Sequence, residues 1–99
     1  MPKPGVKTSM YRLSYDTKIS SDIAQLGGAE KKRIKTAINE KLVNSPTLYG
    51  KPLQHSLLGL RSFRVGDYRV IFKLETDLIF VVYIGHRKQA YLLAEKRIV

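Results

Sequence analysis

The chain contains no cysteine. That excludes a disulfide framework, a thiolate metal site and a cysteine nucleophile, and it is compatible with a reducing cytoplasm. No apolar run approaches the length of a membrane-crossing helix, and no signal-peptide pattern opens the chain. Internal repeats and low-complexity tracts are missing as well. Acidic residues are scarce: 8 Asp+Glu stand against 18 Lys+Arg, a net charge of +10 on 99 residues. Such an excess favours anionic partners, whether nucleic acid, an anionic membrane or an acidic protein. The length allows one core and no separate regulatory module.

The most informative stretch is residues 61–91, RSFRVGDYRVIFKLETDLIFVVYIGHRKQAY, which reads as two consecutive β-hairpins. In the first, Gly66-Asp67 separates two alternating runs and suits a type II′ two-residue turn. That loop pairs Val65 with Tyr68 and sets Arg64 directly opposite Arg69. Alternation along a strand then gathers Phe63, Val65, Tyr68, Val70, Phe72 and Leu74 on one face. Ser62, Arg64, Arg69, Ile71 and Lys73 take the other. Like charges directly opposite one another destabilise a sheet, so two facing guanidiniums are expected to hold an anion.

The second hairpin has two possible registers. A three-residue loop, Glu75-Thr76-Asp77, pairs Leu74 with Leu78 and Arg69 with Tyr83, and brings Tyr83 and Arg87 to the arginine face. A four-residue loop brings His86 to that face and turns Arg87 away. Either leaves a basic, aromatic-flanked concavity suited to a polyanion, most simply a nucleic-acid backbone.

Residues 1–9 contain Pro, Gly and Lys without periodicity and are expected to form a flexible arm ahead of a single domain at 10–99; Met10 is an alternative start. Residues 10–15 alternate Tyr11, Leu13 and Tyr15 against Arg12 and Ser14, a short strand. Asp16 or Thr17 caps a helix in which Ile19, Ile23 and Leu26 recur, and Gly27-Gly28 stops it. A second helix runs from Ala29 with Ile34, Ala37, Ile38 and Leu42 as its apolar stripe, and ends at Asn44-Ser45-Pro46. Thr47 to Gly59 reads as a loop, and Ala90 to Val99 as weakly helical. The resulting order, β-α-α-β-β-β, predicts an α+β fold with a helical hairpin on one face of a small, mostly antiparallel four-stranded sheet. The face led by Phe63, Val70 and Phe72 is the one the helices cover, and the arginine face stays open.

At Arg64-Val-Gly-Asp-Tyr-Arg69 and Ile84-Gly-His-Arg87 the sequence resembles the RelE/ParE superfamily of toxin–antitoxin toxins, and most closely its RelE-like mRNA interferases. The likeness extends over nearly the whole chain after Met10, including the Gly50-Lys51-Pro52-Leu53 loop and Tyr91. It implies a microbial-RNase-like fold that enters the ribosomal A site and cuts mRNA without a metal or other cofactor. In such cleavage the 2′-hydroxyl attacks the adjacent phosphate. It also implies a RelB-like antitoxin partner and a cytoplasmic site of action, with no membrane role. Arg69 then matches the arginine contacting the scissile phosphate, Arg87 the arginine ending the last strand, and Tyr91 the tyrosine near the reacting base. Arg64 stands in for a family lysine, and Ser62 falls where a second lysine is usual, a charge that Arg61 or Lys51 could supply. ParE-like members share the scaffold and act on DNA gyrase, which is the alternative function.

The chemistry needs deprotonation of the 2′-oxygen, charge stabilisation on the phosphorane and protonation of the leaving oxygen. Arginine forks grip phosphate oxygens and stay charged, which suits Arg64, Arg69 and Arg87. Histidine transfers protons near neutrality, which makes His86 a candidate. Tyr91 could stack on a base or move a proton. Lys51, Arg61, Lys73 and Lys88 are expected to contact RNA. Each has a plainer alternative: Arg64 and Arg69 could bond Asp67 or the terminal carboxylate, Arg87 could be a solvated strand-end cation answering a helix terminus, His86 could be a turn residue, and Tyr91 could pack on the sheet edge. His55 reads as incidental. Lys31, Lys32, Lys35 and Lys41 read either as a solvated helix face or as contacts to rRNA phosphates.

Overall fold

The computed structural model describes residues 11–98 apart from 55 and 57, so the expected arm and His55 lie outside the described residues. The elements are β1 (Arg12–Tyr15), α1 (Ile19–Ala24), α2 (Gly28–Ala37), a π-helical turn (Ile38–Leu42), α3 (Pro46–Tyr49), β2 (Gly50–Pro52), β3 (Leu60–Val65), β4 (Tyr68–Glu75), β5 (Leu78–His86) and α4 (Ala90–Arg97). Asp16 turns the chain into α1: its side chain accepts the Lys18 N–H at 2.8 Å and its carbonyl accepts the Ile19 N–H at 3.0 Å. Extended Gly27 then separates α1 from α2. Beyond α2, the Val43 N–H reaches five residues back to the Ile38 carbonyl at 3.0 Å. That wider turn lets adjacent Leu42 and Val43 both enter the core.

The α+β class stands, with one more strand than expected: five, ordered β1-β5-β4-β3-β2. The addition is β2, a three-residue edge strand within the stretch read as a loop. All neighbours are antiparallel except β1 on β5. Against one face, the helical hairpin packs Ile34, Ile38 and Leu42 onto Phe63, Val70, Phe72 and Val81, as the alternation required.

Two expectations need correction. The turn of the second hairpin is neither three nor four residues long: Glu75 pairs with Leu78 across Thr76-Asp77. Arg12 of β1 helps hold this turn, its guanidinium bonding the Asp77 carboxylate at 3.0 and 3.3 Å while its N–H donates to the Asp77 carbonyl. Farther on, a β-bulge intervenes: Phe72 pairs with Val81 but Ile71 pairs with Tyr83, leaving Val82 as the extra residue. The bulge flips the parity of the rest of β5. Arg69 therefore faces Gly85, not Tyr83, and Tyr83 still arrives on the arginine face opposite Ile71.

The second correction concerns that face, which is not open throughout. Helix α4 covers its middle, where Leu60, Ile71, Val82 and Tyr83 pack with Ala90 and Ala94 as a second core. Val70, Ile71 and Phe72 are all fully buried, since the sheet centre is sandwiched. A strand buried on both sides needs a continuous apolar run, which Leu78-Ile-Phe-Val-Val-Tyr-Ile84 supplies.

Bulging also exposes backbone polar groups on the edge of β5 beyond its pairing with β1. The Asp22 carboxylate accepts the Ile84 N–H at 3.0 Å, and the Arg97 guanidinium donates to the Val82 carbonyl at 2.8 Å. Asp22 and Arg97 also bond each other bidentately at 2.7 Å. Asp22 is buried and Arg97 mostly so, and removing the arginine, which would leave the buried carboxylate unpaired, costs about 3–5 kcal/mol. The hydrogen bonds that Arg97 donates to the Asp22 carboxylate raise its pKa above the ordinary value. Neither residue stood out in the sequence, because their pairing depends on a bulge that alternation does not announce.

Candidate functional site

The first hairpin forms as its residues dictate. Gly66 adopts φ +61, and the pairs Val65–Tyr68 and Arg64–Arg69 follow. Glycine is favoured at 66 by that dihedral, which L side chains rarely adopt. Half-buried Arg69 donates from Nη1 to the Gly66 and Tyr68 carbonyls at 3.1 and 3.0 Å, which steadies its guanidinium and leaves other N–H groups for a ligand. Arg64 is exposed opposite it.

A third cation comes from β2. Lys51 pairs with Ser62, so the two share a face with Arg64. Arg61 bonds the Gly50 carbonyl at 2.7 Å and pairs with Phe72, on the helical-hairpin side of the sheet. Lys51, not Arg61, therefore lies beside the uncharged Ser62 position. Gly50 makes this approach possible, since a Cβ there would overlap the Phe72 ring. Finally, α4 delivers Tyr91 from above, 55% exposed. Lys51, Pro52, Leu53, Gln54, Ser62, Arg64, Arg69 and Tyr91 together line a cleft of about 530 Å³. Leu53 and Gln54 join through the chain path after β2, which nothing in the sequence pattern indicated.

Other candidates stand elsewhere. His86 pairs with Tyr68 on the opposite face of the sheet, against the expectation that a longer loop could bring it to the arginines. Its ring meets the Tyr68 ring edge-on at 5.9 Å, and its Nδ1 accepts the Lys88 N–H at 3.2 Å. Arg87 is exposed, and its N–H donates to the Asp67 carbonyl at 2.9 Å, which places it beside the β3–β4 turn but outside the cleft lining. Lys73 pairs with Glu75 at 3.6 Å, and Lys88 is exposed in the turn after β5.

Among the described residues, carboxylate partners go to Arg12, Lys73 and Arg97, and none goes to Arg64, Arg69 or Arg87. The cleft thus gathers uncompensated positive charge, a phenol and a hydroxyl, a donor set for the oxygens of a phosphodiester. Among the described residues no cluster of His, Asp or Glu could hold a metal ion. A larger groove of about 770 Å³ lies away from these cations. It is lined by Ile19, Ile23, Leu26, Ile34 and Ile38 and flanked by Lys31, Lys32 and Lys35.

Comparison with known proteins places the chain in a family. Residues 17–91 match the family described as the ParE toxin of the type II toxin–antitoxin system parDE. Toxin RelE of Mycobacterium tuberculosis is 38% identical over 52 residues, 50% of this chain and 54% of that protein, so the match spans about half the length of this relative. The fold is similar to that of the M. tuberculosis RelBE2 toxin–antitoxin complex (TM-score 0.73, 24% identity, covering 79% of this chain and 99% of that one). It is also similar to the RelB–RelE antitoxin–toxin complex of Methanococcus jannaschii (TM-score 0.63, 27% identity, covering 79% and 94%). A free Escherichia coli RelE variant overlaps at TM-score 0.71 with 20% identity, covering 91% and 99%.

Proposed function

The chain belongs to the ParE toxin family of type II toxin–antitoxin systems, within the RelE/ParE superfamily, and from that footing we propose that it is a ribosome-dependent mRNA endoribonuclease. The observation that carries this reading is the cleft itself: Arg64, Arg69 and Lys51 share one concavity with Tyr91. Clustered cations alone would also suit an acidic protein surface, but paired guanidiniums in a concavity beside an exposed tyrosine match a phosphate and its neighbouring base.

In the proposed reaction an mRNA phosphate sits between Arg64 and Arg69. The 2′-oxygen loses its proton and bonds to phosphorus, the bond to the 5′-oxygen breaks, and that oxygen takes up a proton. The products are a 2′,3′-cyclic phosphate and a 5′-hydroxyl. The arginines offset charge on the phosphorane, where fixed donors act most strongly. Lys51 supplies the cation missing at Ser62. Tyr91 stacks on the base beside the scissile bond, a contact of about 1–3 kcal/mol. With His86 on the far face, it is not the proton carrier in this scheme. The groove beside α1 and α2, apolar with lysines at its rim, suits an acidic amphipathic helix of a RelB-like antitoxin.

One observation favours a second reading: the matching family is described by ParE, not RelE. A gyrase-inhibiting toxin would use the same fold without catalysis. Both are tested by adding purified protein to a translation system programmed with a defined mRNA, mapping 5′ ends, and assaying gyrase supercoiling in parallel. New 5′ ends in the ribosomal A site support the nuclease. Intact mRNA with blocked supercoiling supports the alternative.

A further inference from the structure

Tyr91 owes its place in the cleft to α4, and α4 is weakly equipped to hold itself there. It spans eight residues, Ala90–Arg97, short of the length at which an isolated helix is stable in water. Its fully buried side chains are Ala90 and Ala94, Leu93 is only partly buried against the same core, and Leu92 is 62% exposed. Small residues allow close approach to the sheet but bury little apolar area. The strongest polar contacts of α4 lie at its last residue. Arg97 donates to the Val82 carbonyl at 2.8 Å and bidentately to Asp22 at 2.7 Å, with its guanidinium 5.2 Å from the Tyr83 ring centre.

Where β1 stops, after Tyr15 pairs with Val81, no strand among the described residues lies beside the remaining edge of β5. Asp22 takes the Ile84 N–H and Arg97 the Val82 carbonyl, so the ion pair occupies the position of the missing strand. It also joins α1 on one face to α4 on the other around that edge. We infer that Asp22 and Arg97 are positioning residues for Tyr91: their clamp fixes the seat of α4, and opening it carries the tyrosine out of the cationic cleft. Arg97 lies six residues beyond Tyr91, about 9 Å along the helix axis, and the turn after β5 fixes only the other end. The catalytic consequence rests on the nuclease reading above; the structural consequence does not.

The test uses the full chain with Arg97→Gln, Arg97→Lys and Asp22→Asn, each alone and combined with Tyr91→Ala or Tyr91→Trp. Since the chain has no tryptophan of its own, Tyr91→Trp reports its own surroundings. With the clamp broken by Arg97→Gln, amide exchange in α4 should accelerate at least about tenfold while β4 keeps its protection. The emission of the Tyr91→Trp reporter should shift to the red. Cleavage kcat should fall about 10- to 100-fold with KM little changed, and Arg97→Lys should recover part of it. In the Tyr91→Ala background, Arg97→Gln should lower kcat no further, because the same function has already been lost.

Undisturbed α4 exchange and reporter emission in a folded Arg97→Gln protein would overturn the inference, as would losses that multiply in the Arg97→Gln/Tyr91→Ala double variant. If Arg97→Gln does not fold, Asp22→Asn decides by the same criteria, since it retains size and an acceptor for the Ile84 N–H. Should the wild type leave mRNA intact, the nuclease reading falls alone, and exchange with reporter emission still decides the clamp.

Discussion

Under α4, one sheet face is lined by Ile71, Val82 and Tyr83, none more than 5% exposed. A few residues nearer the β3–β4 turn, the same face carries exposed Arg64 and half-buried Arg69. Strand β4 runs through both regions, contributing Ile71 to the first and Arg69 to the second by simple alternation. What separates them is the cover: Ala90 and Ala94 seal the first, and among the described residues α4 brings only an exposed Tyr91 to the second. Alternation decides which residues share a face, but not how far a helix extends over it. The cations begin where that helix gives out, so a stable core and a charged cleft adjoin without a second domain.

This contrast yields predictions that act on one region and spare the other. The largest concerns the open half. Arg69→Ala or Arg64→Ala should lower mRNA cleavage about 10²–10³-fold, as expected for loss of one fixed donor at a developing anion, measured by primer extension on ribosome-bound mRNA. Urea unfolding should register the Arg64 change hardly at all, since among the described residues that side chain makes no hydrogen bond.

On the sealed half the sensitivity should reverse. Ala94→Leu puts volume where the helix already touches the sheet, and should cost about 1–3 kcal/mol in urea unfolding. At the cleft rim, Lys51→Ala should reduce the slope of log affinity against log salt for RNA by about 1. Its effect on fold stability should be negligible, because Lys51 is exposed on an edge strand.

The smallest effect is a pH dependence to which Tyr83 of the sealed half contributes. Burial, with the Asp22 carboxylate adding to it, raises the Tyr83 pKa above 10.0, while Arg97 opposes the shift. A folded pKa raised above the unfolded value means this contribution is fully present below about pH 10 and is lost as pH rises through the folded pKa. Thermal unfolding should therefore weaken above about pH 10, and Tyr83→Phe should remove part of that slope. Burial also raises the Tyr15 pKa, so some slope should remain.

Much of this was legible in the residues. Gly66-Asp67 fixed the first hairpin and the Arg64–Arg69 pairing, and the spacing of Ile34, Ile38 and Leu42 gave the helix face that meets Phe63 and Phe72. The second hairpin was harder. Thr76 takes φ +34 in a two-residue turn without glycine, and the Val82 bulge then reverses every later side chain. Local periodicity carries no sign of either. The apolar run in β5 is what burial on both sides requires, yet the arginine face was expected to stay open, because nothing local to the weakly helical 90–99 stretch shows that it packs back over the sheet. Lys51 reached the cleft because β2 pairs with β3 through contacts eleven residues apart, beyond the reach of a hairpin rule. The Asp22–Arg97 clamp spans 75 residues and fills a gap in the sheet that only the folded topology creates.

The account is tested most directly by mapping mRNA 5′ ends on translating ribosomes with the wild type and with Arg64→Ala and Arg69→Ala proteins of verified fold. A-site breaks bearing 5′-hydroxyls with the wild type, nearly abolished in both variants, are the predicted result. Breaks that persist at full strength in either variant would contradict it, because the phosphate would then be held somewhere other than between the two opposed arginines.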